Sequence, residues 1–205
     1  MPYGYLGQNQ PNQTVSNSGV FSITDVAELQ SQGKLGGSLE LIEEQTFTTT
    51  QFVDFTNIKG SKYDVHFLEF FLTECTGASV FVISNDNGST FETTNYQQAL
   101  QYGSVGGSFG EDRSTSTSNI AGFGSGGTNL QKNGYVYFYN LDNSSKYSFT
   151  TFQGFNNHPS LGFYTNFGGG VYPTAETHNA IRLSSVTGTS TGTAKLYGVK
   201  QIWVT

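Results

Sequence analysis

The sequence is poor in charged residues, and basic residues are the scarcest of them. Charged residues make up 12% of the 205 residues, against roughly a quarter in typical soluble domains. Nine Lys and Arg stand against 15 Asp and Glu, which gives a net charge of −6. Because nucleic-acid binding depends on clustered Lys and Arg that neutralise phosphates, nucleic acid is not expected as a direct partner. Neutral hydroxyl and amide groups are expected to cover the surface.

The chain also lacks disulfide partners and long apolar runs. Cys75 is the only cysteine, so no disulfide can form within the chain. A small buried hydrophobe is its expected role, with a reactive thiol as the alternative. No run of about 18 apolar residues and no basic region followed by an apolar core is found, so neither a membrane helix nor a secretory signal is expected. We expect a protein that is made in a cytoplasm and stays soluble there until lysis.

Aromatic and small residues are abundant. The chain has 17 Phe, 12 Tyr and 26 Gly, but one Trp and four Pro. Aromatic and β-branched side chains favour pleated strands over helices, and Gly supplies the bends and tight loops between them. The length suits one domain with a sizeable core. The predicted class is all-β.

The N-terminal residues differ from the rest of the chain. Residues 1–19 are too polar to form strands of their own, so we expect an arm. Thr24 is a suitable N-cap, and Gly33 can take the left-handed position after a helix, which predicts one short helix between them. The predicted organisation is an arm with a short helix at 1–33, followed by an antiparallel, jelly-roll-like β-sandwich at 34–205.

Alternating apolar and polar side chains predict strands along most of the remaining chain. In segment 63–73 both faces become apolar toward the end, as expected of a central strand in a sandwich. Segments 134–141 and 146–152 flank an Asp-Asn-Ser-Ser turn and predict a hairpin. The Gly-rich segment 103–127 is expected to be a long exposed loop with a short strand near 119–123. The other strands predicted in this part of the chain are 38–47, 51–58, 78–83 and 161–167.

Two further alternating segments, Asn179–Ser184 and Thr193–Lys200, lie near the end of the chain. Ser, Thr and Gly fill the loop between them apart from one Val, and this composition favours a turn. We therefore predict a long closing hairpin. Its pattern, Asn-Ala-Ile-Arg-Leu, a polar loop and Gly-Thr-Ala-Lys-Leu-Tyr-Gly-Val-Lys, resembles the closing hairpin of a β-sandwich module in tail-fibre and other virion surface proteins of bacteriophages. The resemblance extends back to about Leu35.

The resemblance implies a non-enzymatic structural protein of a phage virion, assembled in the host cytoplasm. Such modules often end long tail fibres, and this sequence has no attachment domain or fibrous shaft. A capsid decoration or cement protein bound to the major capsid protein is therefore expected. The alternative is a tail-fibre or receptor-binding tip that binds a host glycan. A homo-oligomer, with a trimer as the guess, is expected because small units attach durably through several identical sites.

A short motif predicts a structural turn. Ser84, Asp86, Gly88, Thr90 and Phe91 resemble the Asp-box of sialidases and other β-propellers, with Phe91 where Trp is usual. Asp86 can accept hydrogen bonds from turn amides, and Gly88 can adopt a positive φ. The motif therefore predicts a structural hairpin. One box and two Arg are too few for a sialidase, so a glycan hydrolase is disfavoured.

No arrangement of residues indicates catalysis or metal binding. Glu43 and Glu44 are neighbours on a predicted strand and point to opposite faces, so they cannot act on one substrate. His66, His158 and His178 are far apart in sequence, without Cys or carboxylates at the spacing of a metal site. We expect no enzymatic activity, no cofactor and no bound metal.

A stripe of tyrosines suggests a contact surface. Tyr135, Tyr137 and Tyr139 share one face of a predicted strand. They either cover a contact between two sheets or form a platform for sugar rings or a neighbouring protein. The aromatic content exceeds what one modest core needs, so we expect some aromatic residues at a protein interface. The candidates are Tyr3, Tyr5, Tyr135, Tyr137, Phe163 and Tyr164.

Overall fold

The computed structural model describes residues 38–107, 109–123, 130–158 and 162–200, together with Ile23, Thr24 and Ala27. The chain divides into two compact units, Met1–Ser38 and Leu39–Thr205. Ile23, Thr24 and Ala27 have helical backbone, but the predicted arm and the rest of the predicted helix lie outside the described residues. The helix and the domain boundary after residue 33 stay predictions.

The second unit is all-β, as predicted, and its described residues form twelve strands. A single turn of 3-10 helix, Gly60–Lys62, separates the second strand from the third. The strands are β1 Leu39–Thr50, β2 Phe52–Phe55, β3 Val65–Cys75, β4 Ser79–Ser84, β5 Tyr96–Ser104, β6 Phe109–Thr117, β7 Ile120–Phe123, β8 Lys132–Tyr139, β9 Ser148–His158, β10 Gly162–Tyr172, β11 Ala180–Ser185 and β12 Ser190–Val199.

The strands form two antiparallel sheets in a sandwich-like arrangement. The eight-stranded sheet has the order β1-β12-β3-β8-β9-β10-β5-β6, and the four-stranded sheet has the order β2-β11-β4-β7. Aromatic rings join the sheets: Phe70 of β3 lies 4.7 Å from Phe123 of β7, and Phe138 of β8 lies 5.9 Å from Phe81 of β4, between ring centroids. The core therefore lies between the inner faces of the two sheets.

Two facing glycines let the sheets approach. Gly134 of β8 and Gly154 of β9 are register partners, and the Phe123 ring fills the space above both of them. A Cβ at Gly154 would lie 1.7 Å from Phe123 Cδ1. The missing side chains therefore form the socket for the largest apolar residue of β7.

Both strands of the predicted closing hairpin are present, but the prediction that they pair with each other is wrong. β11 lies between β2 and β4 in the four-stranded sheet, whereas β12 lies between β1 and β3 in the eight-stranded sheet. The polar loop therefore carries the chain from one sheet to the other. Alternation shows that each strand buries one face, but it does not specify which strand it pairs with.

The long loop predicted for the Gly-rich segment 103–127 is interrupted by a strand that was not predicted. Phe109–Thr117 forms β6, an edge strand of the eight-stranded sheet, and β5 is its only partner among the described strands. An edge strand needs few apolar residues and tolerates charges, which is why its pattern was not predicted as a strand. The short strand near 119–123 is confirmed as β7, Ile120–Phe123. The hairpin of β8 with β9 and the central position of β3 are also confirmed.

Candidate functional site

The tyrosine stripe lies on the face of the eight-stranded sheet that points away from the four-stranded sheet, called the outer face here. Val136 and Phe138 of β8 are fully buried in the core, and Tyr135, Tyr137 and Tyr139 alternate with them and are half-buried. The interpretation that these tyrosines lie between the two sheets is therefore wrong. They form an exposed aromatic surface instead.

Ring contacts and hydrogen bonds hold this surface in place. The Phe67 ring centroid lies 4.8 Å from that of Tyr137, 5.8 Å from Tyr135 and 5.9 Å from Tyr197. The Tyr197 hydroxyl donates to Glu69 at 2.9 Å. Rings fixed in this way lose little rotamer freedom when a partner covers them, so their contact costs little conformational entropy.

A central part of the outer face, on β9 and β10, carries no charge and several exposed aromatic rings. We call the outward residues of β9 and β10 the apolar strip. Among the described residues of these strands, no outward position carries a charge. Phe149, Phe163 and Phe167 are exposed by 45%, 49% and 49%, and Phe163 stacks on Phe155 with centroids 6.1 Å apart. The outward residues are Phe149, Thr151, Gln153, Phe155, Asn157, Phe163, Thr165, Phe167, Gly169 and Val171.

On the other side of β8, the outer face contains a shallow groove that combines aromatic and charged side chains. Its volume is about 540 Å³. Glu44, Lys195, Glu69 and Tyr135 are successive register partners across β1, β12, β3 and β8, so their side chains form one row. Lys195 Nζ lies 3.6 Å from Glu44 Oε2. The groove is lined by Glu44, Phe67, Glu69, Phe70, Phe71, Asn133, Gly134, Tyr135, Phe155, Thr193 and Lys195.

The predicted interface residues fall in different places. Tyr135, Tyr137 and Phe163 share the outer face. Tyr164 points to the opposite face of β10, where it stacks on Tyr102 with centroids 5.7 Å apart. Phe163 and Tyr164 are neighbours on a strand, so both cannot belong to one flat contact. Tyr3 and Tyr5 lie outside the described residues.

The Asp-box residues close a tight turn after β4. The Asp86 carboxylate accepts hydrogen bonds from Thr90 N at 2.8 Å, Thr90 Oγ1 at 2.6 Å and Ser84 Oγ at 2.8 Å. These bonds, led by that of the Thr90 hydroxyl, lower the pKa of Asp86 to about 2. Gly88 has a φ of +82°. The turn is not a hairpin, because β5, which follows it, lies in the other sheet.

Arg182 anchors this turn to the four-stranded sheet, a contact that the sequence did not indicate. Its guanidinium stacks on Phe91 at 3.9 Å and on Phe52 at 4.3 Å. It also donates to both oxygens of Asp54, at 2.5 and 2.6 Å. Arg182 and Asp54 are cross-strand partners in β11 and β2. The arrangement is structural, and it explains the role of Phe91 in the motif.

Buried Ser148 and His178 and the partly exposed Glu176 have the residue types of a hydrolase triad. His178 Nδ1 lies 2.8 Å from Ser148 Oγ, and His178 Nε2 lies 3.4 Å from Glu176 Oε1. Ser148 is only 2% exposed, so a substrate cannot reach its hydroxyl in this structure. Burial lowers the pKa of His178, which favours the neutral ring. The trio is best described as a hydrogen-bonded support for the segment before β11.

The cysteine belongs to the hydrophobic core, and its thiol also contacts buried polar groups. Cys75 is fully buried, as predicted. Cys75 Sγ and Lys132 Nζ both donate to the Gly77 carbonyl, at 3.0 and 2.8 Å. Burial lowers the pKa of the Lys132 amine. Among the described residues, no group of three or more His, Cys, Asp and Glu could hold a metal ion.

Comparisons with known proteins add little to this description. No protein-family model matches the chain, and no curated protein matches it. A solved structure, a protein of unknown function from Shewanella oneidensis MR-1, is 9% identical over 93% of this chain and 100% of that chain, with a TM-score of 0.17. A likeness at this level carries no argument. No helix within the described ranges is long and apolar enough to cross a membrane.

Proposed function

We propose that this protein is a non-enzymatic structural protein of a bacteriophage virion, most specifically a decoration or cement protein that binds the major capsid protein of the outer shell. The resemblance of the β11 and β12 sequences to phage surface modules supports the virion assignment. The low charge and the sandwich-like fold agree with it. The observation that carries the binding role is the apolar strip, because an exposed aromatic surface without charges has the composition of a protein interface centre.

The size of the strip fits a protein partner. Two strands lie about 4.8 Å apart and each contributes five or so outward residues at roughly 6.6 Å spacing. With the aromatic side chains that flank it, the strip provides a central patch of a standard interface, which buries roughly 800 Å² on each partner. Phe149, Phe163 and Phe167 are the exposed rings that such a partner would cover.

The proposal includes finer structural features. The connections support a jelly-roll-like sandwich, because the chain passes repeatedly between the two sheets. For example, β1 and β3 lie in the eight-stranded sheet, whereas β2 and β4 lie in the four-stranded sheet. The predicted arm and short helix at 1–33 would add contacts to the shell. A trimer would multiply these contacts. Light scattering on purified protein and on material stripped from particles measures the oligomer, and a monomer in both would remove the trimer.

The test is binding to capsids of the source phage, measured by co-sedimentation. The triple substitution Phe149→Ser, Phe163→Ser and Phe167→Ser should weaken binding by at least roughly a hundredfold, because each ring contributes about 1 kcal/mol or more at an interface centre. Val186, a loop residue that is 46% exposed, provides the matched control, and Val186→Ser should bind normally. Undiminished binding of the triple variant would exclude the apolar strip as the capsid-binding surface. Cryo-electron microscopy that places the protein on the tail would exclude a role in capsid decoration.

The groove beside the strip favours a second candidate function, a glycan-binding adhesin at a tail-fibre tip. Aromatic rings flanked by carboxylate, amide and hydroxyl groups suit a sugar better than a protein. Labelling of particles distinguishes the two candidates by location.

A further inference from the structure

The groove differs from the neighbouring apolar strip in its chemistry. Three of its lining residues are charged, Glu44, Glu69 and Lys195, and Asn133 and Thr193 add an amide and a hydroxyl. Protein interface centres are depleted of charge, as the apolar strip is. A groove that places three charged side chains among its aromatic rings is therefore a poor interface centre and calls for a polar ligand.

The groove has the dimensions of a small-molecule site. Its volume of about 540 Å³ lies within the range of roughly 300–1,000 Å³ that such sites have. The row from Glu44 to Tyr135 crosses four strands, which spans about 14 Å at 4.8 Å per strand. An elongated, open groove of this length accommodates a chain ligand lying across the strands.

Aromatic rings supply the apolar part of the contact. Phe71 is 48% exposed, and the neighbouring Tyr135 and Phe67 rings are locked together at 5.8 Å. The Tyr135 hydroxyl donates to Gln153 at 2.9 Å, which fixes the ring. Fixed aromatic rings offer flat apolar area at low entropic cost, and a sugar ring presents a matching flat face of C–H groups.

The polar groups supply the orientation. A carboxylate accepts several hydrogen bonds, so Glu69 keeps acceptor capacity beyond the bond from Tyr197. Glu44 and Glu69 accept from hydroxyls, and Lys195 and Asn133 donate to them. Two carboxylates against one ammonium leave the row net negative, so it repels anionic ligands such as uronic or sialic acids.

We propose that this groove binds a neutral oligosaccharide, with Tyr135 as the stacking platform and Glu69 as the hydroxyl acceptor. The inference names the ligand class of the second candidate function, on which it rests. It does not depend on attachment through the apolar strip, since Tyr135 and Glu69 lie outside the strip.

Isothermal titration of the full-length protein with neutral hexose oligomers tests this directly. The probes are gluco-, manno- and galacto-oligosaccharides of several linkages, and an oligogalacturonate serves as the anionic comparison. We expect at least one neutral oligomer to bind and the oligogalacturonate not to bind. Tyr135→Ala should weaken binding roughly tenfold, the loss expected from one stacked ring, and Glu69→Gln should weaken it by several-fold.

Tyr147→Ala is the matched control, because Tyr147 is an exposed tyrosine outside both the groove and the apolar strip. It should bind the oligosaccharide normally, and thermal melts of all variants check folding. Three results would overturn the proposal: no neutral oligomer binding at millimolar concentration, equal loss in Tyr147→Ala, or a concentration-dependent dimer that Tyr135→Ala dissociates. The last result would assign the groove to a second copy of the chain. Tyr135→Ala should leave capsid binding unchanged, because Tyr135 lies outside the apolar strip. The test of oligosaccharide binding can therefore fail while the proposed capsid binding holds, and the reverse.

Discussion

The substitution Gly154→Ala probes the contact that joins the two sheets. The added methyl would lie 1.7 Å from Phe123 Cδ1 and 2.4 Å from Cε1. Phe123 is 1% exposed, and its ring is packed against Phe70 at 4.7 Å and Phe152 at 5.6 Å. The ring has no free space to move into, so the overlap must be relieved by shifting β7 away from β9.

The expected cost follows from the size of this overlap. Overpacking a filled core costs about 1–3 kcal/mol and sometimes more, and an overlap this deep lies at the upper end. Replacing Gly by Ala in a strand recovers roughly 0.5–1 kcal/mol of backbone entropy. The net loss of unfolding free energy should therefore be about 2 kcal/mol or more. For a chain of this size, that lowers the melting temperature by roughly 4–8 °C.

Thermal and urea unfolding followed by circular dichroism measure this loss. Asn157→Ala is the control, because Asn157 is an exposed residue of the same strand, and its stability should stay close to that of the wild type. Combining Gly154→Ala with Phe123→Ala should cost less than the two single losses added together, because the smaller side chain leaves room for the methyl. Wild-type stability of Gly154→Ala, or strict additivity in the double variant, would refute the packing of Phe123 on Gly154.

Two further predictions concern titratable groups. Burial lowers the pKa of His66 and His178 below the ordinary value of 6.5. As the pH falls, these histidines therefore become protonated in the unfolded chain before they do in the folded one. The free energy of unfolding should decrease as the pH drops below about 6.5. The urea midpoint measured from pH 7.5 to 5 checks this, and a constant midpoint would contradict it. Asp86 should titrate at a pKa of about 2, and Thr90→Val, which removes the largest cause of this shift, should raise it toward 3.8. Carbon NMR of the side-chain carboxyl gives both values, and an unchanged pKa in Thr90→Val would disprove the role of the hydroxyl.

The strands could be predicted where a local pattern was sufficient. β3 alternates Leu68, Phe70 and Leu72 in the core with outward residues such as Phe67, which packs on Tyr137. The β8–β9 hairpin has a short polar turn between alternating segments. Strand pairing could not be predicted in the same way. The loop between β11 and β12 has the composition of a hairpin turn, yet it joins different sheets. Nothing in its residues distinguishes a turn within a sheet from a crossing between sheets, because both need only polar, flexible residues.

The aromatic outer face was predicted only in part. Alternation showed that Tyr135 and Tyr137 share a face, but both faces of β8 are apolar, so it did not show which one points inward. The glycine at 134 decides this, since its missing side chain admits Phe123 on the inner face. The groove could not be predicted from the sequence. Glu44, Glu69 and Lys195 come from distant parts of the chain, and only the strand order β1-β12-β3 brings them together.

The position of these three charges argues that the groove has a function of its own. Lys195 lies 3.6 Å from Glu44, and both are partly exposed; such exposed pairs contribute roughly 0–1 kcal/mol to stability. Stability alone therefore gives little reason to place them among exposed aromatic rings. Only 12% of the chain is charged, and the outward residues of β9 and β10 show that a neighbouring part of the same face does without charge. A ligand that needs both hydroxyl acceptors and stacking surfaces explains why charged and aromatic side chains occur together in this groove.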